Sequence, residues 1–131
     1  MTEEVYPSLR YWFYFHCVVD ILFALPLLIA PAPILTFFGW TSVDPVSARL
    51  VAAALFGIGI DSFLVRGEGP EVSKNMLNLK LIWSGAAIIG LGWSLIAGTH
   101  RRPLMLWLVF VMFIAFAVLW WYYRFRIWEL L

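Results

Sequence analysis

PLMLWLVFVMFIAFAVLWWYY, residues 103–123, carries no charged side chain and no hydroxyl before its two closing tyrosines. A hydrocarbon layer about 30 Å thick is crossed by roughly 20 residues of helix, so this stretch reads as a transmembrane helix. Every backbone amide inside lipid must be satisfied within its own segment, and the run is far too long for a barrel strand. Working outward, three more runs have the same character, at about Leu9–Ala30, Val46–Val65 and Met76–Ala97. The expected fold is all-α: an integral membrane four-helix bundle, a single domain over residues 1–131.

Composition agrees. The chain is 63% hydrophobic and 13% charged, whereas soluble domains are about half apolar and about a quarter charged. So much apolar surface needs lipid to cover it. The net charge of +1 supplies no field that would attract nucleic acid, and the expected partner is the lipid bilayer. Cys17 is the single cysteine. It allows neither an internal disulfide nor a paired-cysteine metal site, and it reads as a small core hydrophobe. The N-terminal run ends at Ala30-Pro31-Ala32, which imitates a cleavage site. Its length, Pro33 and the acidic Glu3 and Glu4 instead identify a retained first span.

Breaks between the spans carry the expected punctuation. Pro31 and Pro33 end the first helix, and Pro26 should kink it. Asp44-Pro45 supplies a cap and first-turn proline for the second. Gly67, Gly69 and Pro70 mark a turn, with Ser73 the expected cap of the third helix. Gly98 closes the third helix and Pro103 opens the fourth. Ile34 to Trp40 is apolar but too short to span, and should lie in the interface.

Orientation follows from the basic residues. Arg10, Arg66, Lys74, Lys80, Arg124 and Arg126 fall on one side; Arg49, Arg101 and Arg102 fall on the other. The positive-inside rule then puts both termini in the cytoplasm, across the cell (inner) membrane. Tyr6, Tyr11, Trp12, Tyr14, Trp120, Trp121, Tyr122, Tyr123 and Trp128 form an expected cytoplasmic aromatic belt, with Trp40 and Trp107 opposite.

Small residues suggest which helices touch. AALFGIG in the second span and AAIIGLG in the third are near copies, and small residues four apart let helix backbones approach closely. Ala53, Gly57, Ala86 and Gly90 are the expected seam between those two spans. The fourth helix, apolar on every face, should sit outermost or pack on another copy in a homo-oligomer.

Ionisable groups inside a membrane are costly and default to a functional hypothesis. The candidates are His16, Asp20, Asp61 and Lys80, with Asn78, Ser62 and Ser84 nearby. At 1.5 Å per residue, His16 lies roughly 10 Å in from the cytoplasmic ends, Asp61 roughly 7 Å, Lys80 roughly 6 Å and Asp20 roughly 16 Å. Two readings stand. One is a polar pocket or half-channel open to the cytoplasm, suited to a proton- or ion-coupled carrier. The other is a set of interhelical bonds, Asp61 with Lys80 and His16 with Asp20, that fixes register; Lys80 could equally snorkel to the interface.

No metal-ligand spacing accompanies His16, Asp20 and Asp61. The only other histidine, His100, lies at the opposite face, which excludes bis-histidine haem within one subunit. No nucleophile signature or phosphate loop is present. The expectation is therefore a non-enzymatic protein with no cofactor, no metal and no catalytic residue.

The segments LLIAPAPILTFFGW (Leu27 to Trp40) and ARLVAAALFGIGI (Ala48 to Ile60), with the four-span length, resemble small four-helix membrane proteins of the DoxX-like kind. That resemblance implies a fold and no activity. Small multidrug exporters share the architecture of four short helices with one acidic residue in the first, but HCVVDILF around Asp20 departs from their motif. The functional expectation is a membrane component or oligomeric scaffold. Its alternatives are a small proton- or ion-coupled carrier or channel with a small-molecule or ion substrate, and a binder of lipid or another apolar ligand.

Overall fold

A computed structural model describes residues 7–98 and 102–128. Its helices are α1 (Pro7–Ile29), α2 (Pro31–Phe37), α3 (Pro45–Leu64), α4 (Pro70–Ala97) and α5 (Leu104–Trp128). Among the described residues there is no strand, and α1, α3, α4 and α5 are each long and apolar enough to cross a membrane. Large apolar side chains cover their outer surface, among them Leu22, Ile29, Leu50, Ile82, Ile89, Ile96 and Val118. Four apolar helices of this kind fit a multi-pass membrane protein.

Local chemistry sets most of the helix ends. The Asp44 carboxylate accepts from Val46 N at 3.1 Å and from the Ser47 hydroxyl, with Pro45 in the first turn of α3. Pro70 starts α4 behind an extended Gly69, so Ser73 is not the cap; it lies inside the helix. A proline fits the first turn because its missing N–H has no partner there anyway. The six extra residues put every later position of α4 further from the start of its helix than the sequence suggests. At the other ends, two arginines serve as caps. Arg49 donates to Leu28 O of α1 at 3.0 Å, and Arg102 donates to Leu95 O and Gly98 O of α4. Each satisfies carbonyls that a helix terminus leaves without partners. The Ile34–Trp40 segment lies partly in α2, which ends at Phe37. Beyond it, Gly39 takes a φ of +103° against Pro103, where a β-carbon would stand 2.9 Å from Pro103 Cβ.

The helices associate as two close pairs, α1 with α3 and α4 with α5; between the pairs the backbones stay further apart and large side chains fill the space. This corrects the expected seam between the second and third spans. Ala53, Gly57, Ala86 and Gly90 all face outward, and no atom would lie within 4 Å of a β-carbon at Gly57 or Gly90. The buried face of α3 is Ala48, Ala52, Leu55, Gly59 and Ser62: Gly59 lies against Asp20 of α1, Ser62 bonds to Phe13 O, and Ala52 and Leu55 cluster with Ala24. Small residues occupy two faces of α3, and it is the ability to fit beside Asp20 that selects one of them.

α5 is not uniformly peripheral. Its apolar middle is largely exposed, but Trp120, Tyr123 and Ile127 are buried in a core with Leu9, Phe13, Met76 and Leu77. Trp120 and Tyr123 thus leave the expected belt, while Tyr11, Tyr14, Trp121 and Tyr122 remain on the outer surface, with Trp107 at the far end. Tyr6, His100 and Arg101 and the side chain of Trp128 lie outside the described residues. A second apolar cluster, Ala24, Ala52 and Leu55 with Phe23, Leu27, Phe56 and Trp83 around them, fills the space towards the other end.

Candidate functional site

Between the two apolar clusters lies a chain of three ionisable side chains. His16 and Asp20 are four residues apart, on the face of α1 that also presents Phe13 and Ala24, and helical geometry stacks them. His16 Nε2 is 3.3 Å from Asp20 Oδ1. The other imidazole nitrogen, Nδ1, is hydrogen-bonded to Lys80 Nζ of α4. A neutral imidazole can accept at one nitrogen and donate at the other, so Lys80, His16 and Asp20 form a chain of polar contacts from α4 into α1, a hydrogen bond followed by a close His–carboxylate pair.

All three groups are removed from the outside. Their relative exposures are 0% for Lys80 and 5% each for His16 and Asp20. Lys80 does not snorkel. Ten residues separate it from Pro70, about 15 Å along α4 rather than the roughly 6 Å expected, because the helix begins earlier than the composition shift implies. Its ammonium is walled by rings, 4.7 Å from the centroid of Trp120 and 5.2 Å from that of Phe13. Aromatic faces attract a desolvated cation. Phe116 and Trp120 also pack on the His16 ring, with centroids at 4.8 and 5.1 Å.

Asp20 is held differently on its two oxygens. Oδ1 faces His16, while Oδ2 is buried with no hydrogen-bond partner among the described residues. It lies against Gly59 of α3, where a β-carbon would stand 3.2 Å from Oδ2. Ser62, one turn away on α3, is fully buried and donates to Phe13 O at 2.9 Å. Ser84 is buried one turn beyond Lys80 on α4. Trp120 Nε1 is a second buried polar atom without a hydrogen-bond partner among the described residues.

The remaining expected members fall elsewhere. Asp61 is exposed and makes no ion pair with Lys80; it lies instead in a cleft with Val65, Val72, Asn75, Met76 and Leu79. Asn78 accepts from Arg124 Nε at 2.8 Å and ties α4 to α5. The expected pocket open to the cytoplasmic side is thus not present around this cluster; Leu9, Phe13, Leu77 and Trp120 close that end. Gly59, Phe13 and Trp120 also belong to the site, although their residue types do not mark them for it. The only signal for Trp120 was its position in a helix with no other reason to approach the interior. No group of three or more His, Cys, Asp or Glu placed to hold a metal occurs among the described residues.

Comparison of the chain with known families, curated proteins and solved structures finds no match.

Proposed function

We propose that this is a multi-pass integral membrane protein of the cell membrane, with both termini cytoplasmic, and that it translocates protons through Asp20 and His16. The observation that carries this reading is Asp20 Oδ2, buried without a hydrogen-bond partner among the described residues at the end of the Lys80–His16–Asp20 chain of contacts. A network serving only to fix helix register is expected to satisfy its acceptors, since a buried oxygen without a donor costs free energy and adds no specificity. A free lone pair on a buried carboxylate is a position at which a proton can be taken up and released. Ionisable side chains facing the interior of a transmembrane bundle are the usual elements of proton relays. The site lies between two apolar clusters, which on this proposal corresponds to an occluded state; exchange with either side then requires the two helix pairs to move relative to one another.

Orientation is supported by the distribution of basic residues. With Lys80 set aside as buried within the bundle, Arg10, Arg66, Lys74, Arg124 and Arg126 on the terminal side still outnumber Arg49, Arg101 and Arg102 on the other, and Arg49 and Arg102 serve there as helix caps.

Purified protein reconstituted in vesicles containing a pH-sensitive dye, with an imposed potassium diffusion potential, tests the proposal. Wild type should acidify or alkalise the lumen faster than empty vesicles, and Asp20→Asn should abolish that flux at equal incorporation. Wild-type flux no faster than in empty vesicles, or an unchanged Asp20→Asn variant, would overturn it. The second outcome would favour a scaffold role, which the Lys80–His16 bridge between the two helix pairs also suits.

A further inference from the structure

The cleft that holds Asp61 is separate from the buried path and does not depend on the proton reading. It lies between α3 and α4 near the turn that joins them, has a volume of about 190 Å³, and is lined by Asp61, Val65, Val72, Asn75, Met76 and Leu79. Two polar side chains thus stand among four apolar ones. Asp61 has no hydrogen-bond or ion-pair partner among the described residues, although cations are near in sequence. Lys74 is engaged by Glu71 at 3.6 Å, and Arg66 by Phe63, whose carbonyl oxygen and ring it contacts. Lys80 is turned to His16.

Three residues separate Asp61 from the end of α3 at Leu64, which is about 5 Å of helix. In a chain crossing the bilayer, that depth corresponds to the region where phospholipid headgroups join their acyl chains. An unpaired carboxylate there calls for a cation, and the apolar walls call for hydrocarbon. A volume of this size takes a headgroup and its first methylenes, and the rest of the molecule remains in the bilayer.

We propose that the α3–α4 cleft is a binding site for a membrane lipid bearing a primary ammonium headgroup, an aminophospholipid, with the ammonium on Asp61. A primary ammonium offers three donors, which the Asp61 carboxylate and the Asn75 amide oxygen can accept. The quaternary ammonium of a choline lipid offers none, so the site distinguishes headgroups of equal charge. The leaflet served is the one on the side of the α3–α4 turn.

The test uses the full chain, relipidated with an equimolar mixture of ethanolamine and choline phospholipids of identical acyl chains. The lipids retained on the folded protein are counted by native mass spectrometry. Wild type should retain the ethanolamine lipid in about fivefold excess, the value of one partly exposed ion pair. Asp61→Asn should bring the ratio to about one, with thermal unfolding unchanged because the side chain is exposed. Asn75→Ala should lower the ratio without abolishing it. A wild-type ratio near one, a preference for choline, or a preference that survives Asp61→Asn would each overturn the proposal.

Discussion

Gly59 of α3 lies so close to Asp20 of α1 that a β-carbon at position 59 would stand 2.8 Å from Asp20 Cβ. The contact is with the root of the side chain, so it cannot be relieved by swinging a flexible tip aside. Absence of a side chain at Gly59 is what lets the two helices close over the carboxylate.

Gly59→Ala should therefore destabilise the folded protein by about 1–3 kcal/mol, the usual penalty for overpacking. Gly57→Leu, only two residues away, should leave the folded monomer unaffected, since that position meets open space. Thermal unfolding of both variants in one detergent checks this. Equal losses would contradict the α1–α3 interface described above.

Lys80→Met should cost roughly 3 kcal/mol or more, because it leaves His16 and Asp20 buried without the cation that faces them. Replacing both charges, Lys80→Met with Asp20→Leu, should recover part of that loss, as apolar groups of similar volume often do at buried ion pairs. A double-mutant cycle on chemical unfolding reads the coupling. Strictly additive effects would mean that Lys80 and Asp20 do not act as one unit.

Asp44 lies outside the spans, and hydrogen bonds from Ser47 and then from Val46 N hold its carboxyl below the ordinary carboxylate range. With the folded value depressed, the stabilisation is complete above the unfolded pKa and is lost as pH falls through the folded one. The difference in unfolding midpoint between wild type and Asp44→Ala should accordingly be full at neutral pH and vanish in strong acid. A difference that stays constant down to pH 2 would rule out the capping carboxylate as its source.

Single cysteines report the topology, in a background where Cys17 is replaced by serine. Gly67→Cys in the α3–α4 turn and Thr41→Cys between α2 and α3 are both exposed positions. An impermeant thiol reagent outside intact cells should label position 41 and not position 67. Labelling of position 67 alone would reverse the orientation, and labelling of both would exclude a single topology.

Much of the fold was legible in the residues because lipid imposes a simple rule on them. Four long apolar runs, punctuated by Asp44-Pro45, Gly98 and Pro103, foretold four long helices, and the turn chemistry located most of their ends. The start of α4 lies six residues ahead of its apolar run, because Pro70 to Asn75 is mostly polar and a polar first turn carries no hydropathy signal. The His16–Asp20 contact follows directly from the helical repeat, four residues being one turn.

Partner choice between helices could not be read in the same way. Small residues lie on more than one face of α3 and α4, and dispersion between close backbones rewards any of those faces equally. Tertiary structure broke the tie where Asp20 met Gly59 and where Lys80 found His16 rather than Asp61. Those contacts depend on the rotation of each helix about its axis and on the true start of α4, two quantities that only packing sets. The sequence by itself determined four apolar helices and a set of ionisable residues among them; the tertiary structure decided that three of these residues form one closed chain and that Asp61 stands apart, facing outward.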